Sequence, residues 1–189
     1  MINAEDQKIE VQCLEVTQPI GTFYIGVMKH EDLVKISYAD IRRLEVGDEK
    51  REVEVYSGIQ RELSKNRVKE LGKYVNLVDA TFPSSVILHI KEEDVEYDSD
   101  SKLMKLPFRD NVAKVLDGQH RIAGLEDFEG KSDNFDVNVT IFIEMELEDQ
   151  AIVFATINKT QTKVNKSLVA DLFAFPKNKV RHSKTKLKF

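Results

Sequence analysis

Apolar and polar residues alternate with two periods along this chain, and the switches between them outline the elements. Ile9, Val11 and Cys13 alternate with polar neighbours, and Phe23, Tyr24, Ile25 and Val27 fill a second run. The pattern predicts strands over 9–16 and 22–28, joined as a hairpin through the breaker Pro19-Ile20-Gly21. A short helix or turn over Glu31–Ser37 follows, then a charged stretch, Arg42–Glu54. Ile59, Leu63, Leu71, Val75 and Val78 recur at helical spacing and predict one long helix over 58–79. Gln60, Ser64 and Arg67 form a polar stripe on it. Ser85–Ile90 reads as a buried strand, residues 91–101 as an acidic loop, and Val112–Leu116 as a central strand. Phe135, Val137, Val139, Ile141, Ile143 and Met145 give the cleanest period-two strand in the chain. Glu146–Ile157 reads as a helix with Leu147, Ala151, Phe154 and Ala155 inward, and Asn158–Lys163 as a polar loop. Asn165 is placed to cap a last helix carrying Leu168, Leu172 and Phe173. Strands and helices mix without a βαβ rhythm, so the expected class is α+β.

The central strand ends on the most informative run, Asp117-Gly118-Gln119-His120-Arg121, which opens into an apolar helical segment. A strand that turns through glycine into a helix brings backbone N–H groups and the positive end of the helix dipole to one point. His120 and Arg121 add side-chain donors there, and Arg121 can grip a phosphate bidentately. The competing reading is a tight turn with Arg121 paired to Asp117 or Glu126. His120 could hold phosphate or act as an acid–base group near neutral pH, or only fill the turn. Asp117 could place a divalent cation beside phosphates or merely cap the helix.

Composition narrows the field. The chain has 189 residues, 41% hydrophobic and 32% charged, which suits one globular domain. It contains no apolar run long enough for a membrane span and no signal-peptide pattern at its start. Cys13 is the only cysteine, which excludes an intrachain disulfide and a structural zinc cluster, and a reducing cytoplasm is the expected location. His30, His89 and His182 are scattered, and no metal site is expected. The formal net charge of −5 hides a basic end: Lys177 to Phe189 holds six basic residues and no acid, leaving 22 basic against 33 acidic residues elsewhere. Such an end is either a solvated, flexible tail (176–189) or an arm that reaches nucleic acid or an acidic partner.

Other polar sets sit where they could line a cleft: Gln60, Arg61 and Arg67 on the long helix, Ser84 before its strand, and Asn158 with Gln161 between two apolar helices. For each, a solvated surface is the competing reading. The chain has no GxSxG elbow, no GxxxxGK[ST] loop and no GxGxxG fingerprint.

The run Asp117-Gly118-Gln119-His120-Arg121 resembles the signature of DGQHR-domain proteins, which include the DndB-type proteins associated with DNA phosphorothioate modification. Gln60-Arg61-Glu62-Leu63 with Arg67-Val68 and Tyr74 resembles a flanking motif of that family. So do Phe82-Pro83-Ser84-Ser85-Val86-Ile87-Leu88, and Phe154 to Asn158 with Gln161 and Val164, in the same order. The resemblance covers roughly residues 18–175 and implies a DGQHR domain over 1–175. It also implies a ParB/sulfiredoxin-like fold, a small mixed sheet with packed helices. Sulfiredoxins carry a catalytic cysteine where this chain has Gln119, so thiol chemistry does not carry over. The implied function is a nucleotide-binding component of a bacterial DNA-modification or defence system, with triphosphate hydrolysis left open. Gly118, Gln119, His120 and Arg121 would hold the phosphates of ATP or CTP with Mg²⁺. Asp117 and His120 would be the catalytic pair, and Gln60, Arg61, Arg67, Ser84, Asn158 and Gln161 would line the cleft. DNA, modification proteins and a second copy of the chain are the implied partners. The alternatives are a DNA-binding regulator of a modification operon, in which the motif is structural, and a truncated fragment that only contacts partners. The family's members are longer, which makes a short variant the expectation.

Overall fold

The computed structural model describes residues 7–39, 64–130 and 134–160. Its frame is one mixed sheet of eight strands. In chain order the elements are β1 (Lys8–Gln18), β2 (Gly21–Lys29), α1 (His30–Ile36), β3 (Ser37–Tyr38), α2 (Lys65–Tyr74), β4 (Val86–Ile90), a 3-10 turn (Glu92–Asp94), β5 (Glu96–Asp98), β6 (Leu103–Pro107), β7 (Ala113–Asp117), α3 (Gln119–Leu125), β8 (Asp136–Ile143) and α4 (Leu147–Thr160). The strands lie in the order β3-β7-β4-β8-β2-β1-β6-β5. Pairings β3–β7 and β4–β8 are parallel and the rest antiparallel, an α+β arrangement. The chain divides into a compact unit over Met1–Thr156 and a second over Ile157–Phe189. Of the second, only the end of α4 lies within the described residues. The expected boundary at 175/176 and the helix expected after Asn165 fall outside them.

The hairpin forms as expected, with Gly21 at φ +126, a turn conformation that a side chain would strain. Ile9, Val11 and Cys13 of β1 bury one face of their strand, as do Val86, Leu88 and Ile90 of β4 and Val137, Val139 and Ile141 of β8. Leu33 and Ile36 from α1, Val75 from the turn after α2, and Ile122 and Leu125 from α3 complete the same cluster. This is the core, and it fixes where β7 ends and α3 begins.

Three differences from the sequence pattern have physical causes. The supposed acidic loop holds the 3-10 turn and the edge strand β5, whose residues Glu96-Tyr97-Asp98 bury little and so leave no apolar alternation to read. β3 has only two residues and is a strand by virtue of pairing with β7. The long helix is described only from Lys65, and it stops at Tyr74, where the Tyr74 hydroxyl donates to the Thr81 carbonyl and accepts from the Thr81 amide. That pair of bonds folds residues 75–81 back toward Phe82, whose ring lies 5.8 Å from Tyr74 and 5.4 Å from Phe135.

His89 alternates with Leu88 and Ile90 and so faces away from the core, yet its Nε2 is buried and has no hydrogen-bond partner among the described residues. Burial pushes the imidazole pKa down, the Lys114 charge adds to this, and Glu144 opposes it. The folded protein thus disfavours the imidazolium. The stability tied to neutral His89 is present above the unfolded pKa of about 6.5 and is lost as pH falls through the lower folded value. Urea midpoints measured across this range should fall less for His89→Phe than for the wild type.

Candidate functional site

Gly118 makes the corner between β7 and α3. Its φ of +102 lies where side chains are strained, and a Cβ there would stand 3.0 Å from both a Val86 methyl and the Arg121 Nη2. The Gly118 carbonyl accepts from the Arg121 amide at 2.9 Å and the Ile122 amide at 3.1 Å, which starts the helix.

The Arg121 guanidinium turns back toward the loop before β4. Nη1 donates to the Ser84 carbonyl and, at 2.9 Å, to the Ser84 hydroxyl. Nη2 donates to the Ser85 carbonyl at 2.9 Å and to Asp117 Oδ2 at 3.0 Å. All four N–H groups on the two terminal nitrogens are therefore committed. The Arg121 side chain is 15% exposed and that of Asp117 30%. Burial pulls the guanidinium pKa down, Asp117 raises it by charge and hydrogen bond, and the nearby charge of Arg67 lowers it again. The fork expected to grip phosphate is occupied from within, and it ties β7, α3 and the Ser84-Ser85 segment together. Of the two readings of Arg121, a fork offered to a ligand or a pair with Asp117, the structure displays the pair, with the Ser84 and Ser85 carbonyls as further acceptors. It also explains the Phe82-Pro83-Ser84-Ser85 motif as the segment that delivers two carbonyls to Arg121.

Asp117, expected to serve catalysis or a metal, has its carboxylate engaged in this latch. Among the described residues no group of three His, Cys, Asp or Glu side chains converges on a cation site. His120 reaches α2 instead: its Nε2 accepts from the Ser64 amide at 3.1 Å, which requires Nε2 to be unprotonated. Gln119 is partly buried at the same turn. Gln60, Arg61 and Gln161 lie outside the described residues. Asn158 lies within α4, which runs on to Thr160 through part of the expected polar loop.

The amino end of α2 stands beside this turn. Ser64 is its N-cap, accepting from the Arg67 amide through Oγ at 3.4 Å and from the Val68 amide through its carbonyl at 3.0 Å. The amides of Lys65 and Asn66 have no acceptor among the described residues, and both residues are exposed. Arg67 is exposed too, with no carboxylate partner among the described residues, although it lies close enough to Arg121 to act on its charge. The first turn contains no acid, the reverse of what the helix dipole favours, and α2 as a whole sets Lys65, Arg67, Lys69 and Lys73 against Glu70. Sequence reasoning found Arg67 but missed the two amides, because its helix ran on through Ser64. The signal was the serine itself, three residues ahead of Arg67.

A family model described as DndB, DNA-sulfur modification-associated, matches residues 11–184. No curated protein and no solved structure matches the chain.

Proposed function

The chain belongs to the DndB family of DNA-sulfur modification-associated proteins, and from that premise we propose that it contacts DNA phosphates through the amino end of α2. In this reading it is a DNA-binding, regulatory component of the modification system, and the DGQHR turn is the latch that holds the contact surface in place. One observation carries the reading. Arg67 presents an exposed guanidinium with no described acceptor, beside two amides of a helix amino end in the same condition. Helix amino ends and arginines are the usual partners of DNA phosphate oxygens.

An open surface suits a long polyanion better than a small nucleotide. A triphosphate gripped by the DGQHR turn would have to displace the Ser84, Ser85 and Asp117 bonds of Arg121. Hydrolysis would further need Asp117 to leave that latch. The body of the protein is acidic, so the basic stretch of α2 would also orient the approach to DNA.

Fluorescence anisotropy with duplex DNA across about 50 to 200 mM salt tests this. Arg67→Ala should weaken binding about fivefold at low salt, equivalent to ~1 kcal/mol. It should also reduce the slope of log K against log salt by about 0.9, the loss of one phosphate contact. An unchanged affinity and slope in this variant would refute the reading.

A further inference from the structure

A cleft of about 730 Å³ runs along the far flank of α2, between that helix and the loop Glu126–Glu129 after α3. Lys69 and Lys73, one turn apart, form one wall, and Glu126 and Glu129 stand on the loop, with Leu77 and Phe128 adding apolar surface. No ion pair among the described residues joins these lysines to these carboxylates, although both line the same space. Opposite charges that share a cleft without meeting suit a ligand that carries an anion at one end and N–H donors at the other.

The loop is fixed in place. Asn76 donates to the Gly72 carbonyl at 2.9 Å and to the Asp127 carbonyl at 2.8 Å, and its Oδ1 accepts from the Glu129 amide at 2.8 Å. Asp127 sits so close to α2 that a Cβ at Gly72 would lie 2.2 Å from its Oδ2. Both walls are thus held before any ligand arrives, which lowers the ordering cost of binding.

We infer that this cleft binds a mononucleotide with an amino-bearing base, its phosphate on Lys69 and Lys73 and its amino edge on Glu126 and Glu129. The volume falls within the range of pockets for small molecules and cofactors. Two adjacent ammonium groups match a phosphate dianion, and a carboxylate accepts from an exocyclic amine such as the N4 of cytosine. Uracil presents a carbonyl at that position, which repels the carboxylates and leaves only its N3–H to donate to them. The site is separate from the amino end of α2 and does not rest on the DNA reading.

Calorimetric titration of the full chain with CMP, AMP, GMP and UMP, with no DNA present, tests the inference. CMP should bind roughly tenfold more tightly than UMP, and Glu126→Gln with Glu129→Gln should remove that preference. Lys69→Gln with Lys73→Gln should weaken every nucleotide about tenfold, while thermal unfolding shows the variant folded as the wild type. No heat from any nucleotide at millimolar concentration would overturn the inference. So would equal binding of CMP and UMP, or nucleotide binding indifferent to the lysine pair.

Discussion

Arg121→Ala should lower the unfolding free energy by about 3 kcal/mol, more than any other change to an exposed or half-exposed residue at this corner. The substitution strips the donors from the Ser84 and Ser85 carbonyls and leaves the Asp117 carboxylate, 30% exposed, without its cation. Unsatisfied acceptors in a partly buried site cost more than the bonds they once made. Because Asp117 retains some access to water, the cost should fall at the lower end for a broken buried pair. Arg121→Lys should recover only part of the loss, since a single ammonium cannot span four acceptors arranged for a planar fork. Urea unfolding at neutral pH measures both, with the free-energy difference expected in the midpoint and the slope unchanged.

Gly124→Val should destabilise by about 2 kcal/mol, through the packing of α3 on α2. A Cβ at Gly124 would stand 2.6 Å from the Leu71 Cβ and 3.2 Å from the Leu71 carbonyl carbon. The second of these is backbone and cannot swing aside, so the two helices must part. A valine is a somewhat better helix former than glycine, which offsets the strain by about 0.5 kcal/mol. Separation of the helices would also disturb the Ser64–His120 bond and the placement of Arg67. DNA affinity should therefore fall together with stability in this variant. A Leu71→Gly change in the same chain removes the Cβ that stands 2.6 Å away and should relieve part of the clash, so the double variant should lose less than the two single losses together.

The sequence made some of this legible and hid the rest for identifiable reasons. The hairpin at Pro19-Ile20-Gly21 and strand β8 were readable because their patterns are local: a breaker between alternating runs, and alternation kept over the whole strand. The sharp turn at Gly118 was readable as well, since a glycine between a strand and a helical segment has few other uses. The role of Arg121 was legible only in part: pairing with Asp117, four residues before it, was one of two open readings, whereas its bonds to the loop before β4 were not foreseen. Its acceptors at Ser84 and Ser85 lie 37 and 36 residues earlier in the chain, and only the fold brings them to the guanidinium. The strands β5 and β6 escaped for a related reason, because their pairing with each other and with β1 decides what their own short patterns do not. The Lys69–Lys73 and Glu126–Glu129 walls come together where Gly124 lets α3 approach α2 and Gly72 lets Asp127 of the following loop approach it.

Two arginines at one corner thus divide the work, one holding the fold and the other facing outward. The direct test is duplex-DNA affinity of Arg121→Lys beside Arg67→Ala, each measured at a temperature where circular dichroism shows it folded. A smaller loss for Arg121→Lys than for Arg67→Ala, with the salt slope reduced in Arg67→Ala alone, is the expected result. Equal loss in both, or loss in Arg121→Lys alone, would contradict this assignment.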